Sequence, residues 1–392
     1  MAQWIGSWYA SPTKFATRFF AFQFPHVSFD DQTIRMIVHP HATGSQLRLK
    51  FSNRYGAQPL TLGRVAVARS IQDGKIDPQT AVEVNFQGLS DVTIPAGEDR
   101  DSDPVPLNVD ARSDLAVSIY LPAYTETSTW HWTPAQSTYI ADGNRTEERD
   151  TTHFQTKIDS YYWLTGLDVM TEQENARVMV AFGDSITEGF SASFNANHRW
   201  PDFFQDRVQQ EYPDRNISVL NAGITGNLIT LDGGLVTIDG VDIDITIAGE
   251  RAPARLPWDV FSQAGVTDVI FLQGINDIFG NFNADLIIAG MKEVATKVHQ
   301  RNLRISIGTI IPFGDSIYYS EAKECIRQEV NTWIRSQELY DGVIDFDQAL
   351  ADPHMSHRLL PAYDSGDHVH PSDEGLKALA DAIPLALLFE EH

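Results

Sequence analysis

Four short stretches of the sequence hold the residue types that do chemistry. In the first, Gly183-Asp184-Ser185, a serine stands just past the break that ends the apolar run Arg177 to Phe182. A serine on a sharp turn at a strand end presents its hydroxyl to a crevice, as α/β enzymes display a nucleophile. Capping the helix that follows is an equally ordinary task for it. The second stretch is Asn221-Ala222-Gly223-Ile224-Thr225-Gly226-Asn227, and the third is Gly274-Ile275-Asn276-Asp277. The fourth is Asp364-Ser365-Gly366-Asp367-His368-Val369-His370-Pro371.

Together these stretches match the needs of acyl transfer. A serine hydroxyl is a weak nucleophile and requires a base, which histidine supplies once a carboxylate orients it. His370 has Asp367 three residues before it, within reach inside one loop, and Pro371 biases His370 toward an extended backbone. The tetrahedral intermediate then needs donors around its oxyanion. The N–H groups of Ser185 and of a glycine in the second stretch, Gly223 or Gly226, fill that need with the amide of Asn276. Asp364, Asp367, His368, His370 and Asp373 have a second reading as metal ligands, since imidazole and carboxylate bind zinc and iron. That reading leaves the second and third stretches without a role, so neither metal nor cofactor is expected. Asp277 is expected to cap the next helix, and His198-Arg199-Trp200 to pack at the start of another.

The elements that must position these residues follow from the pattern. From residue 173 on, strands alternate with helices. Arg177 to Phe182, Ile217 to Leu220, Thr267 to Leu272, Leu303 to Ile311 and Gly342 to Phe346 read as strands. Helical spacing runs over Trp200 to Tyr212, Ala284 to Arg301, Tyr319 to Gln337 and Ser372 to Leu388. Alternation of this kind predicts a parallel, doubly wound sheet with its site beyond the strand carboxyl ends, where all four stretches fall.

Residues 1–172 read differently, as short strands and turns. Thr33 to Val38, Gln46 to Ser52, Leu60 to Ala68, Ala81 to Phe86, Asp91 to Ile94, Val105 to Val109 and Asp114 to Leu121 predict an all-β, jelly-roll-like sandwich. The expected division is 1–172 and 173–392. Aromatics cluster at Trp4, Trp8 and Tyr9 and at Trp130, His131, Trp132 and Tyr139. They fit a sugar-stacking platform or a packed core, and the core reading is preferred because aromatics dominate buried area.

Composition narrows the partners. The chain has 392 residues, 53 Asp and Glu against 29 Lys and Arg, and a net charge of -24. Most of that excess falls after residue 172, which disfavours nucleic acid or an anionic surface and favours a neutral or cationic small substrate. No apolar run reaches a membrane span, and the start M-A-Q-W has neither a basic region nor an apolar region of a secretory signal. Both a cytoplasmic protein and a secreted one with its signal removed would begin so, and oligomeric state is not legible. The one cysteine, Cys325, excludes an internal disulfide and reads as a small apolar residue of a helix.

The blocks G-D-S-I-T-E-G, G-I-T-G-N, G-I-N-D and D-H-V-H-P, in this order, resemble the SGNH subgroup of the GDSL hydrolase superfamily. The resemblance implies the flavodoxin-like SGNH hydrolase fold for residues 173–392. It implies Ser185 as nucleophile, His370 as base and Asp367 as its partner, with Ser185 N–H, Gly226 and Asn276 as oxyanion hole. It selects Gly226 over Gly223. W-I-G-S-W-Y-A-S-P, L-R-L-K-F-S-N-R-Y-G, T-W-H-W-T-P-A-Q-S-T-Y and R-W-P-D-F-F further resemble two-domain GDSL esterases with an N-terminal β-sandwich. The implied activity is that of a carboxylesterase on short-chain acyl or aryl esters. The alternatives are a carbohydrate acetyl-esterase and a carbohydrate-binding protein with an inactive hydrolase domain. One stretch departs from the pattern: Ile229 to Pro257, with aspartates at 232, 239, 242 and 244, reads as an insert, and its run I-D-G-V-D-I-D-I-T-I reads as an extra hairpin near the cleft mouth.

Overall fold

The computed structural model describes residues 2–19, 22–238 and 241–388. The chain forms two compact units, Met1–Ala176 with Gly234–Ile247, and Arg177–Gly233 with Ala248–His392.

The first unit is all-β, as the turn-rich sequence predicts. Its two larger sheets are antiparallel. One orders the strands Gln3–Tyr9, Leu164–Thr171, Leu47–Ser52 and Asp99–Asp101. In the other, Leu115–Leu121 lies between Arg64–Gln72 and Gln32–Val38. In Leu47–Ser52 the residues Leu47, Leu49 and Phe51 are fully buried while Arg48 and Lys50 are half-buried, so the alternation read in the sequence is the pleat of the strand. Two expectations need correction. Leu60 to Ala68 is two strands, Leu60–Leu62 and Arg64–Gln72, interrupted at Gly63. Val105 to Val109 makes only isolated bridges, Val105 to Leu47 and Val109 to Gly44, because Pro104 and Pro106 cannot donate to a ladder.

The aromatic cluster is core. Trp8, Tyr9, Trp130, His131 and Tyr139 are buried, with Trp4 and Trp132 half-buried. His131 stacks on Tyr161 and its Nδ1 lies 2.8 Å from the carbonyl of Ser11, a packed histidine. The predicted hairpin exists, Leu235–Ile238 against Val241–Asp244, and it belongs to this all-β unit. Asp239 lies outside the described residues.

The second unit is the doubly wound sheet. Its strands are β1 (Arg177–Gly183), β2 (Ile217–Gly223), β3 (Val266–Leu272), β4 (Arg304–Gly308) and β5 (Gly342–Ile344), all parallel, in the order β2-β1-β3-β4-β5. That is the flavodoxin-like order, whose switch point lies between β1 and β3. β1 is buried along its length past Arg177 because helices cover both faces of such a sheet. Each large apolar side chain there contributes about 1.5–3 kcal/mol of burial.

The helices are α1 (Ser185–Glu188), α2 (Trp200–Glu211), α3 (Ala252–Asp259), α4 (Ile275–Phe279), α5 (Ala284–His299), α6 (Glu321–Ser336), α7 (Phe346–Leu350) and α8 (Asp373–Ala382). α5 shows why the long ones form: Ala284, Ile287, Met291, Val294, Ala295 and Val298 are buried at helical spacing, and the Asn283 side chain accepts from Leu286 N–H as cap. α8 begins at the Ser372 cap and stops before Pro384, shorter than the expected Ser372 to Leu388. Cys325 lies on α6 but is exposed, so it is not a core residue. Trp200 is buried as expected at the start of α2, with His198 paired to Asp373 at 2.6 Å and Arg199 to Asp202.

Candidate active site

β1 ends at Gly183, and the chain turns at once into the single helical turn α1. Asp184 caps that turn, its Oδ1 accepting from Ile186 N–H at 3.1 Å. The capping role open to Ser185 is therefore taken by its neighbour, and Ser185 occupies the first helical position. Its Oγ lies 2.9 Å from Nε2 of His370. On the other side of the imidazole, Nδ1 lies 2.6 Å from Oδ2 of Asp367. The three side chains form one hydrogen-bonded line from serine to carboxylate.

The loop before α8 is built to hold that line. Asp367 Oδ1 accepts the N–H groups of Val369 and His370 at 2.9 and 2.8 Å, so the carboxylate folds the loop while its other oxygen meets the imidazole. Asp364 does the same one turn earlier, pairing its Oδ2 with His368 Nδ1 at 2.5 Å and accepting from Gly366 and His368 N–H. Asp373, the last member of the metal reading, is committed to His198 and to Ser193 N–H. The five residues of that reading thus divide among separate pairs, and among the described residues no group of three or more has metal-holding geometry.

Gly183 pairs with Gly223 in the parallel ladder, so the segment leaving β2 runs beside the serine turn. Gly226 lies in that segment with φ 76°, a left-handed conformation natural to glycine. Among the described residues, neither Ser185 N–H nor Gly226 N–H has a protein acceptor. Asn276, on the first turn of α4, donates through Nδ2 to the carbonyl of Asn227 at 3.1 Å, beside the Gly226 peptide. Asp277 does not cap α4, whose cap residue is Gly274. Instead its carboxyl accepts from Ile229 N–H, Thr230 N–H and Thr230 Oγ1, tying down the segment that carries Gly226.

A family model described as the GDSL-like lipase/acylhydrolase family matches residues 181–378, half of the chain. The chain belongs to this family. Solved structures similar to it include a GDSL-like lipase from Bacteroides thetaiotaomicron VPI-5482, at 18% identity over 56% of this chain and 90% of that one, TM-score 0.38. A member of the lipolytic protein G-D-S-L family from Veillonella parvula DSM 2008 is 15% identical over 53% and 95%, TM-score 0.36. Axe2, an acetylxylan esterase from Geobacillus stearothermophilus, is 20% identical over 54% and 92%, TM-score 0.39. No curated protein sequence matches the chain.

The electrostatics of this GDSL unit separate its carboxyls. For Asp367 burial works against the charge, but the imidazole hydrogen bond, the charge of His370 and two backbone N–H groups overcome it and hold the carboxyl well below the usual range. Asp184 is the opposite case. Burial raises its pKa to about 7, against the Ile186 N–H bond, and its Oδ2 has no partner among the described residues. Burial likewise raises Asp277 to about 6 despite its bonds to Thr230 and Ile229. One neighbour of His370 has no sequence signal: the Phe190 ring, whose centroid is 4.5 Å from the imidazole. It follows α1 by a turn that cannot be read without the fold.

Proposed function

We propose that this GDSL acylhydrolase is a serine carboxylic-ester hydrolase that works through an acyl-enzyme. The observation that carries the reading is the hydrogen-bonded line Ser185–His370–Asp367 at 2.9 and 2.6 Å. Ser185 Oγ attacks the ester carbonyl while its proton passes to His370 Nε2. The carbonyl oxygen gains the charge and accepts hydrogen bonds from Ser185 N–H, Gly226 N–H and Asn276 Nδ2. His370 then delivers the proton to the leaving alcohol and afterwards takes one from water for deacylation. Asp367 stays ionised, fixing the tautomer of His370 and stabilising the imidazolium. No step calls for a cofactor.

The substrate we assign is a small neutral ester with a short acyl group. The net charge of -24 supports neutrality, since an anionic substrate would approach against the field of the chain. Ser185→Ala should lower hydrolysis of a chromogenic acetate by more than about a thousandfold while the melting curve stays that of the parent. Retention of a tenth of the activity would remove Ser185 from its role. A profile from acetyl to lauroyl esters, run beside an acetylated xylo-oligosaccharide, then assigns the acyl and alcohol classes: preference for the sugar makes it a carbohydrate deacetylase.

A further inference from the structure

The stretch Ile229 to Pro257 leads into α3, Ala252–Asp259. On α3 sits Arg255, a cation with 0% exposure. Its donors reach four acceptors: Gly183 O at 2.6 Å, Ala222 O at 2.9 Å, Asn227 Oδ1 at 2.9 Å and Asp259 Oδ2 at 2.7 Å. Its guanidinium carbon lies 4.0 Å from the ring centroid of Phe182. Gly183 is the end of β1, two residues before Ser185. Ala222 is at the end of β2, and Asn227 directly follows Gly226. Asn276 donates to the backbone of that same Asn227.

One buried side chain thus grips the segments that carry Ser185 and Gly226, and through Asn227 it is linked to Asn276. We propose that Arg255 is the positioning residue that sets the spacing of the donors at Ser185, Gly226 and Asn276. The assignment rests on the reading of Ser185 as nucleophile. Stability alone is a poor reason to bury this charge, because replacing buried ion pairs by apolar residues is often neutral or favourable. Geometry is a better one. A planar guanidinium presents donors in fixed directions to separate acceptors, which a lysine ammonium cannot reproduce. Displacing reacting groups by ~1 Å costs on the order of a hundredfold in rate.

The test uses the full chain with Arg255→Lys and Arg255→Met, and reads kcat and KM per fluorophosphonate-reactive Ser185. It adds the inhibition constant of an arylboronic acid, whose boron takes an electron pair from Ser185 Oγ as the proton passes to His370. The adduct carries tetrahedral negative charge. Arg255→Lys should lower kcat by at least about tenfold with KM within about threefold, and weaken the boronate by the factor lost in kcat/KM. Arg255→Met should lose more. Asp259→Asn keeps the guanidinium but loosens its anchor, and should show a smaller loss with the same boronate correlation, which decides the matter if the Arg255 variants do not fold. A kcat within about twofold of the parent in the folded variants overturns the proposal, and so does a kcat loss with unchanged boronate affinity. Failure of the parent's Ser185 to react with fluorophosphonate overturns the nucleophile reading itself, and this proposal with it.

Discussion

Asp184 and Asp277 are carboxyls with 0% exposure beside the Ser185 turn, raised by burial to about 7 and about 6. A carboxyl raised in this way keeps its proton in the folded chain at a pH where the unfolded chain has lost it. The folded state therefore binds more protons between about pH 4 and 7, and stability falls as pH rises through that window. Asp184→Asn keeps an acceptor for Ile186 N–H and removes the titration. It should shrink the loss of unfolding free energy between pH 5 and 7 by roughly 1–3 kcal/mol, measured by denaturant melts at both pH values. An unchanged loss would mean that Asp184 is ionised throughout. Asp367→Asn should cost roughly ten- to a hundredfold less activity than Ser185→Ala, since it misorients the base without removing it. Steady-state rates of the two variants check the ranking. Ser185, Asp367 and His370 are legible in sequence because each carries a local signal: a glycine break, a spacing of three, a following proline. The roles of Asp277 and Arg255 are not, because their partners come from other segments, and that of Asp184 is not, because it follows from burial.

The strands β1 and β3 are readable because their buried lengths appear as continuous apolar runs, whereas β4 and β5 are only partly buried. The helices α2, α5 and α6 are readable because each is long enough to show a period. By contrast α1, α4 and α7 span one turn each, too short for any periodicity, and they are held by the strand ends they follow. The β2 end shows how tightly. A Cβ on Gly223 would stand 2.1 Å from the backbone nitrogen of Glu188 and 2.6 Å from its Cα. Gly223→Ala must push α1 away from β2, so it should destabilise the unit by about 2 kcal/mol or more and lower kcat at the same time. Denaturant melts and rates check this together. A stable, fully active variant would show that the serine turn does not depend on this contact.

At the scale of the whole chain, the change from turn-rich strands to strand–helix alternation separates the two units in the sequence, but the hairpin at Leu235–Asp244 does not follow it. It interrupts the α/β sequence yet groups with the all-β unit, an assignment made by packing and invisible to local pattern. The charge of -24 acts at this scale too. At about 10 mM salt, kcat/KM for an ester bearing a carboxylate on its acyl group should be lower than for a neutral ester of equal size, by about fivefold. The gap should close as salt reaches about 0.5 M, because screening shortens the reach of the field to a few ångströms. Equal rates at low salt would remove charge from the account of specificity.

Everything proposed for this site depends on Ser185 being the nucleophile of an ester hydrolase. Reaction of the full chain with a fluorophosphonate, followed by intact-mass measurement and peptide mapping, tests it most directly. One adduct is expected, on Ser185, formed in step with the loss of esterase activity and absent from Ser185→Ala. Inactivation with the adduct on another residue, or esterase activity that survives full modification of Ser185, would contradict it.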